Sequence, residues 1–394
     1  MLPIFLNSAP CTLIPVLPMN DPCNHESWMD QALALARRGE GLTRPNPPVG
    51  ALVVGRGKVV GAGWHHAAGR PHAEALALAA AGPKARGATL YVTLEPCCTF
   101  GRTPPCTDAI LRSGIRRVVV GARDPNPRHA GRGIRLLRRK GIAVIEGVRA
   151  GEARELIAPF ARWITTGRPL LTLKLGMSAD GKIADIRRRS RWITGPAARR
   201  EVQALRLSSD AILVGAGTVL ADNPSLLPKP ARGRKPLRVI LDARGRVPAN
   251  VRVLNDSSRP RTIMATTRFC PSRRVREWQA RGAQVWVLPG TGAVSLPALM
   301  RRLGKAGILQ VLCEGGGEIA AALVRARLVD VFRFYIAPRI LGGKPAVGAV
   351  GGVGWRLSGA PKLRFTGCRL IGKDIVIAAR PVPGREILCR QTTK

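Results

Sequence analysis

The feature that most constrains this chain is a set of four chemically reactive side chains in two short segments. His72 and Glu74 stand two residues apart, and Cys97 and Cys106 follow with eight residues between them. A catalytic zinc ion takes three ligands from side chains and leaves the fourth tetrahedral position to water. One imidazole and two thiolates meet that requirement, so the chain must fold in a way that brings the two segments together.

The position of Glu74 indicates what a metal site here would do. Zinc lowers the pKa of its bound water toward neutrality, but attack on a ring carbon still needs a group that moves protons. Glu74 can take that role, and it is too close in sequence to His72 to be a spare ligand. The same His-x-Glu followed by a Pro-Cys pair occurs in zinc deaminases. The sequence therefore predicts an enzyme that cleaves the bond between a ring carbon and its exocyclic amine.

The alternative interpretation is that these histidine and cysteine side chains are ordinary buried residues, and a single one of them would favour it. The chain has only five histidines, however, and the reactive residues occur in the order that a zinc deaminase requires. We therefore favour the metal site. The role of Cys98 stays open, since it could compete for zinc, although an immediate neighbour of Cys97 more often points away from the metal.

The local sequence predicts that the reactive residues lie at the ends of regular elements. Residues 74–81 are strong helix formers, with Pro71 expected in the first turn, so His72 would lie at a helix N-terminus. An apolar strand over residues 88–94 would deliver the first cysteine just beyond its carboxyl end, where sites of open α/β sheets lie. Cys106 opens another helical stretch, and a helix N-terminus favours the thiolate form.

The second part of the chain has a different character. No histidine follows residue 129, so whatever this part does avoids imidazole chemistry. Apolar strands alternate with helical stretches after Gly167–Pro169, which predicts an α/β domain with a mostly parallel sheet. The predicted strands cover residues 170–175, 211–214, 238–241, 262–265, 284–288 and 309–313.

Length and segment composition predict two domains, at residues 27–166 and 167–380, followed by a tail at 381–394. Residues 1–26 are expected to be a disordered extension, because the apolar, proline-rich start lacks the basic region of a signal peptide. If Met19 is the true start, the residues before it are upstream sequence.

The net charge of +40 would attract nucleic acid, phosphorylated substrates and nucleotide cofactors, unless it reflects only arginine-rich solvated faces. Two tyrosines and seven phenylalanines give few stacking aromatics, so we expect no specific nucleic-acid binding. The nine cysteines do not form a disulfide pattern, and no apolar run is long enough to span a membrane. These features favour a cytoplasmic enzyme without a membrane partner.

Several segments, taken together, closely resemble the family of bifunctional riboflavin biosynthesis deaminase/reductases. In the first domain they are Thr43–Gly50, Gly69–Glu74, Thr93–Cys97 and Asp124–Pro127. The eight-residue gap between the two site cysteines also separates this chain from cytidine and tRNA deaminases, which have Cys-x-x-Cys. The resemblance covers residues 28–380. One departure is Thr99, where the family commonly has histidine.

The second domain carries four further segments of this resemblance: Lys174–Gly181, Ser190–Thr194, Gly215–Leu226 and Glu314–Gly317. The last is a glycine run between a strand and a helix, where backbone N–H groups can approach a phosphate. It resembles the NADPH-phosphate loop of a dihydrofolate-reductase-like fold. The implied architecture is an N-terminal cytidine-deaminase-like three-layer α/β domain plus a C-terminal dihydrofolate-reductase-like domain.

The resemblance also implies the site residues. In the deaminase domain, one zinc ion per chain would be held by His72, Cys97 and Cys106, with Glu74 as the catalytic acid/base and Asn46 in contact with substrate. The residues implied to bind NADPH are Gly176, Trp192, Thr218, Asp222, Gly316, Gly317, Glu318, Ile319, Ala320, Ala321 and Ala322. Those implied to bind the ribosyl-phosphate substrate are Ser190, Arg206, Leu226, Lys229 and Glu314.

Two positions depart from the reductase pattern: Ala179, where the family often has leucine, and Lys229, where it often has arginine. A lysine keeps the charge but loses the bidentate fork of arginine for phosphate.

The function implied is deamination of 2,5-diamino-6-ribosylamino-4(3H)-pyrimidinone 5′-phosphate, followed by NADPH-dependent reduction of the ribosyl group to ribityl in a homo-oligomer. The alternatives are a nucleic-acid deaminase of the tRNA type with a basic RNA-binding domain, argued from the charge, and a scaffold in which one domain has lost its chemistry.

Overall fold

The computed structural model describes residues 24–229 and 235–382. Residues 1–23 of the predicted extension and residues 383–394 of the predicted tail lie outside this part. The first helix begins at His25, inside the predicted extension, because the side chain of Asn24 accepts a hydrogen bond from the backbone N–H of Ser27 and caps it. No helix within the described ranges combines the length and apolar character that crossing a membrane requires.

The first domain alternates helices with the strands of one sheet. Its elements are α1 (His25–Arg37), β1 (Gly50–Gly55), β2 (Lys58–Trp64), α2 (Ala73–Ala81), β3 (Thr89–Leu94), α3 (Cys106–Ser113), β4 (Arg117–Ala122), α4 (Arg132–Arg139), β5 (Ala143–Glu146), α5 (Ala150–Leu156) and α6 (Ala158–Thr166). A short 3-10 helix, Gly82–Ala85, follows α2.

The sheet of the first domain has the strand order β2-β1-β3-β4-β5. Strand β1 is antiparallel to β2 and β3, whereas β3, β4 and β5 run parallel. Side chains of α2, α3 and α4 pack on one face of the sheet, and those of α1 and α5 pack on the other. The result is the three-layer arrangement that the family resemblance implies.

Two glycines in β2 set the position of α2. A Cβ atom added to Gly61 would lie 2.2 Å from the carbonyl oxygen of Ala77, and one added to Gly63 would lie 2.6 Å from that of Ala73. The helix backbone therefore rests directly on the strand. Because α2 follows His72 and contains Glu74, this close approach fixes the depth at which both side chains enter the site.

One local prediction in the first domain needs correction. Pro71 was expected inside the first turn of α2, but the helix begins at Ala73, with His72 at the N-cap in an extended conformation. Before the domain boundary, the two helices α5 and α6 meet at Ile157. Pro159 follows that junction and has no N–H to continue the hydrogen-bond ladder of α5.

The second domain is built around a larger sheet. Its elements are β6 (Leu170–Ser178), β7 (Lys182–Ala184), α7 (Pro196–Ser208), β8 (Ala211–Gly215), α8 (Ala216–Asp222), β9 (Leu237–Leu241), α9 (Arg252–Asn255), β10 (Thr262–Thr266), α10 (Ser272–Ala280), β11 (Gln284–Val287), α11 (Leu296–Lys305), β12 (Gln310–Cys313), α12 (Gly317–Arg325), β13 (Val331–Ala337), β14 (Val347–Gly348), β15 (Leu363–Ile371) and β16 (Asp374–Pro381). Two short 3-10 helices are Arg259–Arg261 and Leu357–Gly359.

The large sheet has the strand order β11-β10-β9-β8-β12-β6-β13-β16-β15. The strands from β11 to β13 pair in parallel, and β16 and β15 add an antiparallel edge. The mostly parallel sheet is thus as predicted, and each of the six predicted strands is present. Strands β8, β12 and β6 lie side by side at its centre, which brings their carboxyl ends together.

Candidate active sites

The first candidate site is a cluster of metal-binding side chains. Among the described residues, His72, Cys97 and Cys106 are the group that can hold a metal ion, since their ligand atoms all lie within 4.8 Å of one another. The Nδ1 atom of His72 is 3.2 Å from Cys106 Sγ and 3.5 Å from Cys97 Sγ. One nitrogen and two sulfurs facing a common point are a donor set that suits zinc with one open position.

The surroundings of the two cysteines favour ionised sulfur. The backbone N–H of Cys106, the first residue of α3, donates to Cys97 Sγ at 3.3 Å. The hydrogen bond that Cys106 makes to Cys97 lowers the pKa of Cys97, and the same bond together with burial raises the pKa of Cys106. One thiolate is therefore prepared by the fold itself, and a metal that binds both sulfurs would displace the shared proton.

The ring of His72 is oriented by its second nitrogen. Its Nε2 lies 3.4 Å from Thr103 Oγ1, on the opposite side of the ring from the sulfurs. Thr103 belongs to the long segment between the two cysteines. A partner on the far nitrogen of a metal-binding histidine fixes both the tautomer and the orientation of the ring. The eight-residue segment thus supplies an orienting hydroxyl, a role that sequence reasoning did not assign.

Glu74 lies beside this cluster and is 3% exposed. Burial, together with the nearby Cys97, raises the pKa of Glu74 to about 7. Its side chain also forms a hydrogen bond with Cys106. A carboxyl group with a pKa near neutrality can both accept and release a proton, as a general acid/base must.

Asn46 reaches the same region from the loop before β1. Its Nδ2 atom donates to His65 Nε2 at 3.0 Å, and His65 Nδ1 donates to the carbonyl oxygen of Pro71 at 3.2 Å. The His65 ring is 2% exposed, and burial lowers its pKa, which keeps it neutral for these two bonds. The ring meets that of His72 edge-on at 5.1 Å between centroids. The sequence did not assign a role to His65, because that role follows from the groups that the fold places beside its ring.

The Asp124–Pro127 turn, one of the segments that carry the family resemblance, is held near the cluster by Glu95. The buried Glu95 carboxylate accepts backbone hydrogen bonds from Asp124 at 3.1 Å, from Gly131 at 2.8 Å and from Gly133 at 3.0 Å. Glu95 precedes Cys97 by two residues, so the turn is tied to the metal-binding segment. Cys98 points elsewhere, with its Sγ 3.9 Å from His129 Nδ1, and is not part of the cluster.

The second candidate site lies at the carboxyl ends of β6, β8 and β12, as expected for an open α/β sheet. Its centre is an ion pair between two of the predicted substrate residues. Arg206 donates through Nε to Glu314 Oε1 at 2.6 Å and through Nη2 to Oε2 at 2.9 Å, and its Nη1 donates to the carbonyl oxygen of Leu227 at 3.3 Å. The pair is mostly buried, with 16% of the Arg206 side chain and 9% of the Glu314 side chain exposed.

Lys174 is a residue of this site that sequence reasoning did not assign a role. Burial lowers its pKa, which the carboxylate of Glu314 partly opposes. Its Nζ lies 3.2 Å from where a Cβ atom on Gly176 would stand, so the glycine leaves room for the ammonium group. The segment Lys174–Gly181 carries the family resemblance, but Lys174 itself was given no role. A lysine within an otherwise uncharged strand was the sequence signal that could have indicated one.

The other predicted residues of the second domain form smaller groups around this centre. Ser190 donates to Asp222 Oδ1 at 2.9 Å, and Thr218 Oγ1 lies 3.8 Å from a Cβ position on Gly316. Trp192 is 62% exposed and stacks on the guanidinium of Arg199 at 4.5 Å. The exposed ring therefore offers a flat surface on the protein exterior.

Leu226 and Lys229 lie on the loop that follows α8. Leu226 is buried with a φ of 58°, an uncommon conformation for a leucine, and its neighbour Leu227 supplies the carbonyl that Arg206 holds. Lys229 is exposed, and its backbone N–H donates to Gln203 Oε1 at 3.0 Å. The next five residues, 230–234, lie outside the described part.

The predicted phosphate loop opens α12. Gly316 has a φ of 22°, and a Cβ on Gly317 would lie 2.5 Å from the carbonyl oxygen of Gly348, so larger residues do not fit this turn. Glu318 accepts a hydrogen bond from the backbone N–H of Gly352 at 3.1 Å. Ile319 is half-buried, Ala320 and Ala321 are buried and Ala322 is exposed. A ligand at this turn would meet backbone N–H groups rather than the side chains of the buried alanines.

Comparison with known families matches both halves of the chain. Residues 169–377 match the model of the RibD C-terminal domain. Residues 22–122 match the model of the cytidine and deoxycytidylate deaminase zinc-binding region, which includes the whole metal-binding cluster. The two matches fall on the two sheets described above.

Curated relatives match nearly the whole chain. The riboflavin biosynthesis protein RibD of Bacillus amyloliquefaciens is 43% identical over 363 residues, which covers 92% of this chain and 97% of that protein. The protein of the same name from Escherichia coli strain K12 is 42% identical over 366 residues, covering 89% and 98%. Both halves are thus present together, in the same order, in those relatives.

Solved structures give the same result for the fold. A diaminohydroxyphosphoribosylaminopyrimidine deaminase/5-amino-6-(5-phosphoribosylamino)uracil reductase from Thermotoga maritima is 37% identical, with a TM-score of 0.80, and the match covers 91% of this chain and 99% of that one. A RibD from Acinetobacter baumannii is 35% identical, with a TM-score of 0.80 and the same coverage. The two-domain architecture is therefore that of these structures.

Proposed function

Because this chain belongs to the RibD family of bifunctional riboflavin biosynthesis enzymes, we propose that its two sites catalyse consecutive reactions on one pyrimidine phosphate. The first reaction is hydrolytic deamination of 2,5-diamino-6-ribosylamino-4(3H)-pyrimidinone 5′-phosphate. The second is reduction of the ribosyl side chain, with NADPH as the electron donor, to give 5-amino-6-(5-phospho-D-ribitylamino)uracil. The observation that carries the proposal is the presence, in one chain, of a His-Cys-Cys cluster beside a buried glutamate and a separate Arg-Glu-Lys site.

The residues of the first site fit a zinc ion. Three donor atoms converge within 4.8 Å, and the hydroxyl of the half-buried Thr103 lies beside the far nitrogen of the histidine ring. We assign His72, Cys97 and Cys106 as the ligands. When bound, zinc would act as a Lewis acid that lowers the pKa of its bound water toward neutrality.

The neighbouring side chains then have distinct tasks in the deamination. Glu74, with its pKa of about 7, would take a proton from the attacking water and give one to the departing amine. Asn46 keeps its Oδ1 atom for the substrate while Nδ2 is bound to His65. The Asp124–Pro127 turn, held by Glu95, would contact the ring or the ribose from the other side.

In the second site the Arg206–Glu314 pair would bind the sugar phosphate portion of the substrate, together with Ser190, Leu226 and Lys229. Lys174 is placed beside this pair to donate a proton to a sugar oxygen as the ring opens. The lowered pKa of Lys174 makes that proton easier to release.

NADPH would lie across the carboxyl ends of the central strands. The backbone turn at Gly316 and Gly317 would face its phosphates, and Gly176, Thr218 and Asp222 would line its path. The exposed Trp192 ring would stack on the cofactor. When bound, NADPH supplies a hydride, and the chain's part is to juxtapose the nicotinamide and the sugar carbon.

We test this function with purified full-length protein and a choice of substrates. Ammonia release is measured with the diaminopyrimidine phosphate, with cytidine and with single-stranded RNA. We expect ammonia release from the diaminopyrimidine phosphate and none from cytidine or single-stranded RNA. Release from RNA instead would favour the nucleic-acid deaminase, which the family match does not favour.

We also propose that the protein self-associates through β15, one of the two edge strands of the large sheet. Its side chains are mostly exposed on both faces, including Phe365 at 68% and Leu370 at 73%. An open edge with apolar side chains is a template for pairing with a second chain. Light scattering of the purified protein at micromolar concentration should give a dimer or larger, and a monomer would refute this.

A further inference from the structure

One arginine of the deaminase domain is buried against the reductase domain. The Arg44 side chain is 9% exposed and forms an ion pair with Asp210, whose side chain is 1% exposed. Its Nη2 atom also donates to the carbonyl oxygen of Ser208 at 2.8 Å and to Gln310 Oε1 at 3.4 Å. A single side chain thus has three partners in the other domain.

On the deaminase side, Arg44 belongs to the turn that presents Asn46. The hydroxyl of Thr43 donates to the carbonyl oxygen of Asn46 at 2.9 Å, and the backbone N–H of Asn46 donates to the carbonyl oxygen of Thr43 at 3.0 Å. Asn46 in turn is bonded to His65, whose ring meets that of His72. The contacts therefore run without a break from Arg44 to the metal-binding histidine.

On the reductase side, the partners of Arg44 lie on the elements that carry the other site. Ser208 is the last residue of α7, which carries Arg206, and Gln310 is the first residue of β12, which leads to Glu314. Asp210 also accepts backbone hydrogen bonds from Leu309 at 2.8 Å and Gln310 at 3.0 Å. Arg44 is therefore anchored where the neighbouring strands β8 and β12 of the large sheet begin.

We propose that Arg44 is a positioning residue for the deaminase, which holds the Asn46 turn against His65 by gripping the reductase domain. A guanidinium has donors in a fixed fork, so three acceptors in set positions define where its backbone must lie. The position of the Asn46 turn in the deaminase site thus depends on contacts with the reductase domain, although the deamination itself uses no residue of that domain. This inference rests on the proposed role of Asn46 in substrate binding.

The test uses full-length protein with three substitutions. Arg44→Met removes the charge and the donors, and Arg44→Lys keeps the charge but replaces the fixed fork of donors with one ammonium group on a flexible stem. Arg38→Ala is the matched control, because Arg38 is an exposed arginine six residues upstream. Each variant is assayed for ammonia release, for reductase activity on supplied deaminated substrate and for zinc content.

Arg44→Met is expected to raise the deaminase KM about tenfold or more, because a small displacement of a positioning group is costly, while kcat changes by less than about threefold. Reductase kinetics and zinc content should match the wild type. The deaminase KM of Arg44→Lys should lie between the values for Arg44→Met and the wild type. The KM of Arg38→Ala should equal that of the wild type. If Arg44→Met is too unstable to purify, Arg44→Lys carries the test, because its retained charge still pairs with Asp210.

A second readout does not depend on deaminase activity. The readout is the ¹⁵N NMR chemical shift of His65 Nε2 in protein labelled at histidine. In both Arg44 variants this shift should move toward the value of a ring that lacks the hydrogen bond from Asn46. In Arg38→Ala it should equal the wild-type value. An unchanged signal together with an unchanged KM would overturn the inference. So would an equal loss of both activities with a lowered melting temperature, since that pattern marks a purely structural ion pair. If the wild type releases no ammonia while the signal still moves, the proposed function fails and the positioning of Asn46 stands.

Discussion

The two candidate sites reach catalytic geometry by different routes. The deaminase site gathers nitrogen, sulfur and carboxylate groups from α2, α3 and the segment between them, so its key residues lie within 35 positions of one another. The reductase site gathers an arginine from helix α7, a glutamate from the turn after β12 and a lysine from β6. The first is organised around the position of a metal ion, and the second around a buried ion pair. A site built from neighbouring segments leaves a strong local pattern in the sequence, whereas the residues of a site assembled by strand order leave weaker ones and were implied here only by the family resemblance.

The largest effect is expected at Glu74. Glu74→Gln keeps the size of the side chain but removes its acid/base capacity, so deaminase kcat should fall about 10²- to 10⁴-fold. Zinc content and reductase activity on supplied deaminated substrate should stay at the wild-type level. Steady-state ammonia release measures the first effect and metal analysis the second. A fall in reductase activity of similar size would mean that the two sites are not separate.

The reductase site should respond most strongly at its ion pair. Arg206→Met leaves the mostly buried Glu314 carboxylate without its partner, which should destabilise the protein by about 3–5 kcal/mol. The reductase activity of Arg206→Met should also fall. Its deaminase activity should persist when measured below the temperature at which the variant unfolds. Denaturant unfolding and both assays check this. Arg273→Met is the matched control, because the Arg273 side chain is 87% exposed and its pair with Glu277 lies on the surface. Its stability should change by less than about 1 kcal/mol.

The close packing of α2 on β2 gives a smaller effect confined to the deaminase. Gly63→Ala places a Cβ atom 2.6 Å from the carbonyl oxygen of Ala73, so helix and strand must separate. We expect a loss of about 1–3 kcal/mol and a weaker deaminase with an intact reductase. Gly151→Ala is the control, because nothing lies within 4 Å of its added Cβ atom. Equal unfolding curves for the two variants would contradict the role assigned to Gly63.

The smallest effect is expected at Thr103. Thr103→Val removes the partner of His72 Nε2 without a change in volume, so zinc affinity should weaken about 10- to 100-fold. Competition with a chromophoric chelator measures this directly. Thr99→Val, in the same segment, is the control. Among the hydrogen bonds of the described residues, the hydroxyl beside His72 Nε2 is that of Thr103 and not that of Thr99. If both variants bind zinc like the wild type, the orienting role of Thr103 is wrong.

These differences also explain how far the sequence alone could go. The metal-binding residues and the elements around them were predictable because each follows a strong local signal: an alanine-rich helix after His72, an apolar strand before Cys97 and a helix opened by Cys106. Six strands of the large sheet in the second domain were predictable for the same reason, since each is a short apolar run.

What the sequence did not predict depends on long-range contacts. Strand β15 has almost no buried side chain, so it lacks the apolar alternation that marks a half-buried strand. The roles of His65, Thr103 and Lys174 follow from which groups the fold places beside them. The Arg44–Asp210 pair joins residues in different domains, and no local pattern links them.

The central claim is that one chain holds two sites that act in a fixed order on one substrate. The direct test follows ammonia release and NADPH oxidation together in wild-type protein given the diaminopyrimidine phosphate. Ammonia should appear at the same rate with or without NADPH, and NADPH oxidation should begin only as ammonia accumulates and should reach the same molar amount. NADPH oxidation that precedes ammonia release, or ammonia release that requires NADPH, would contradict the account.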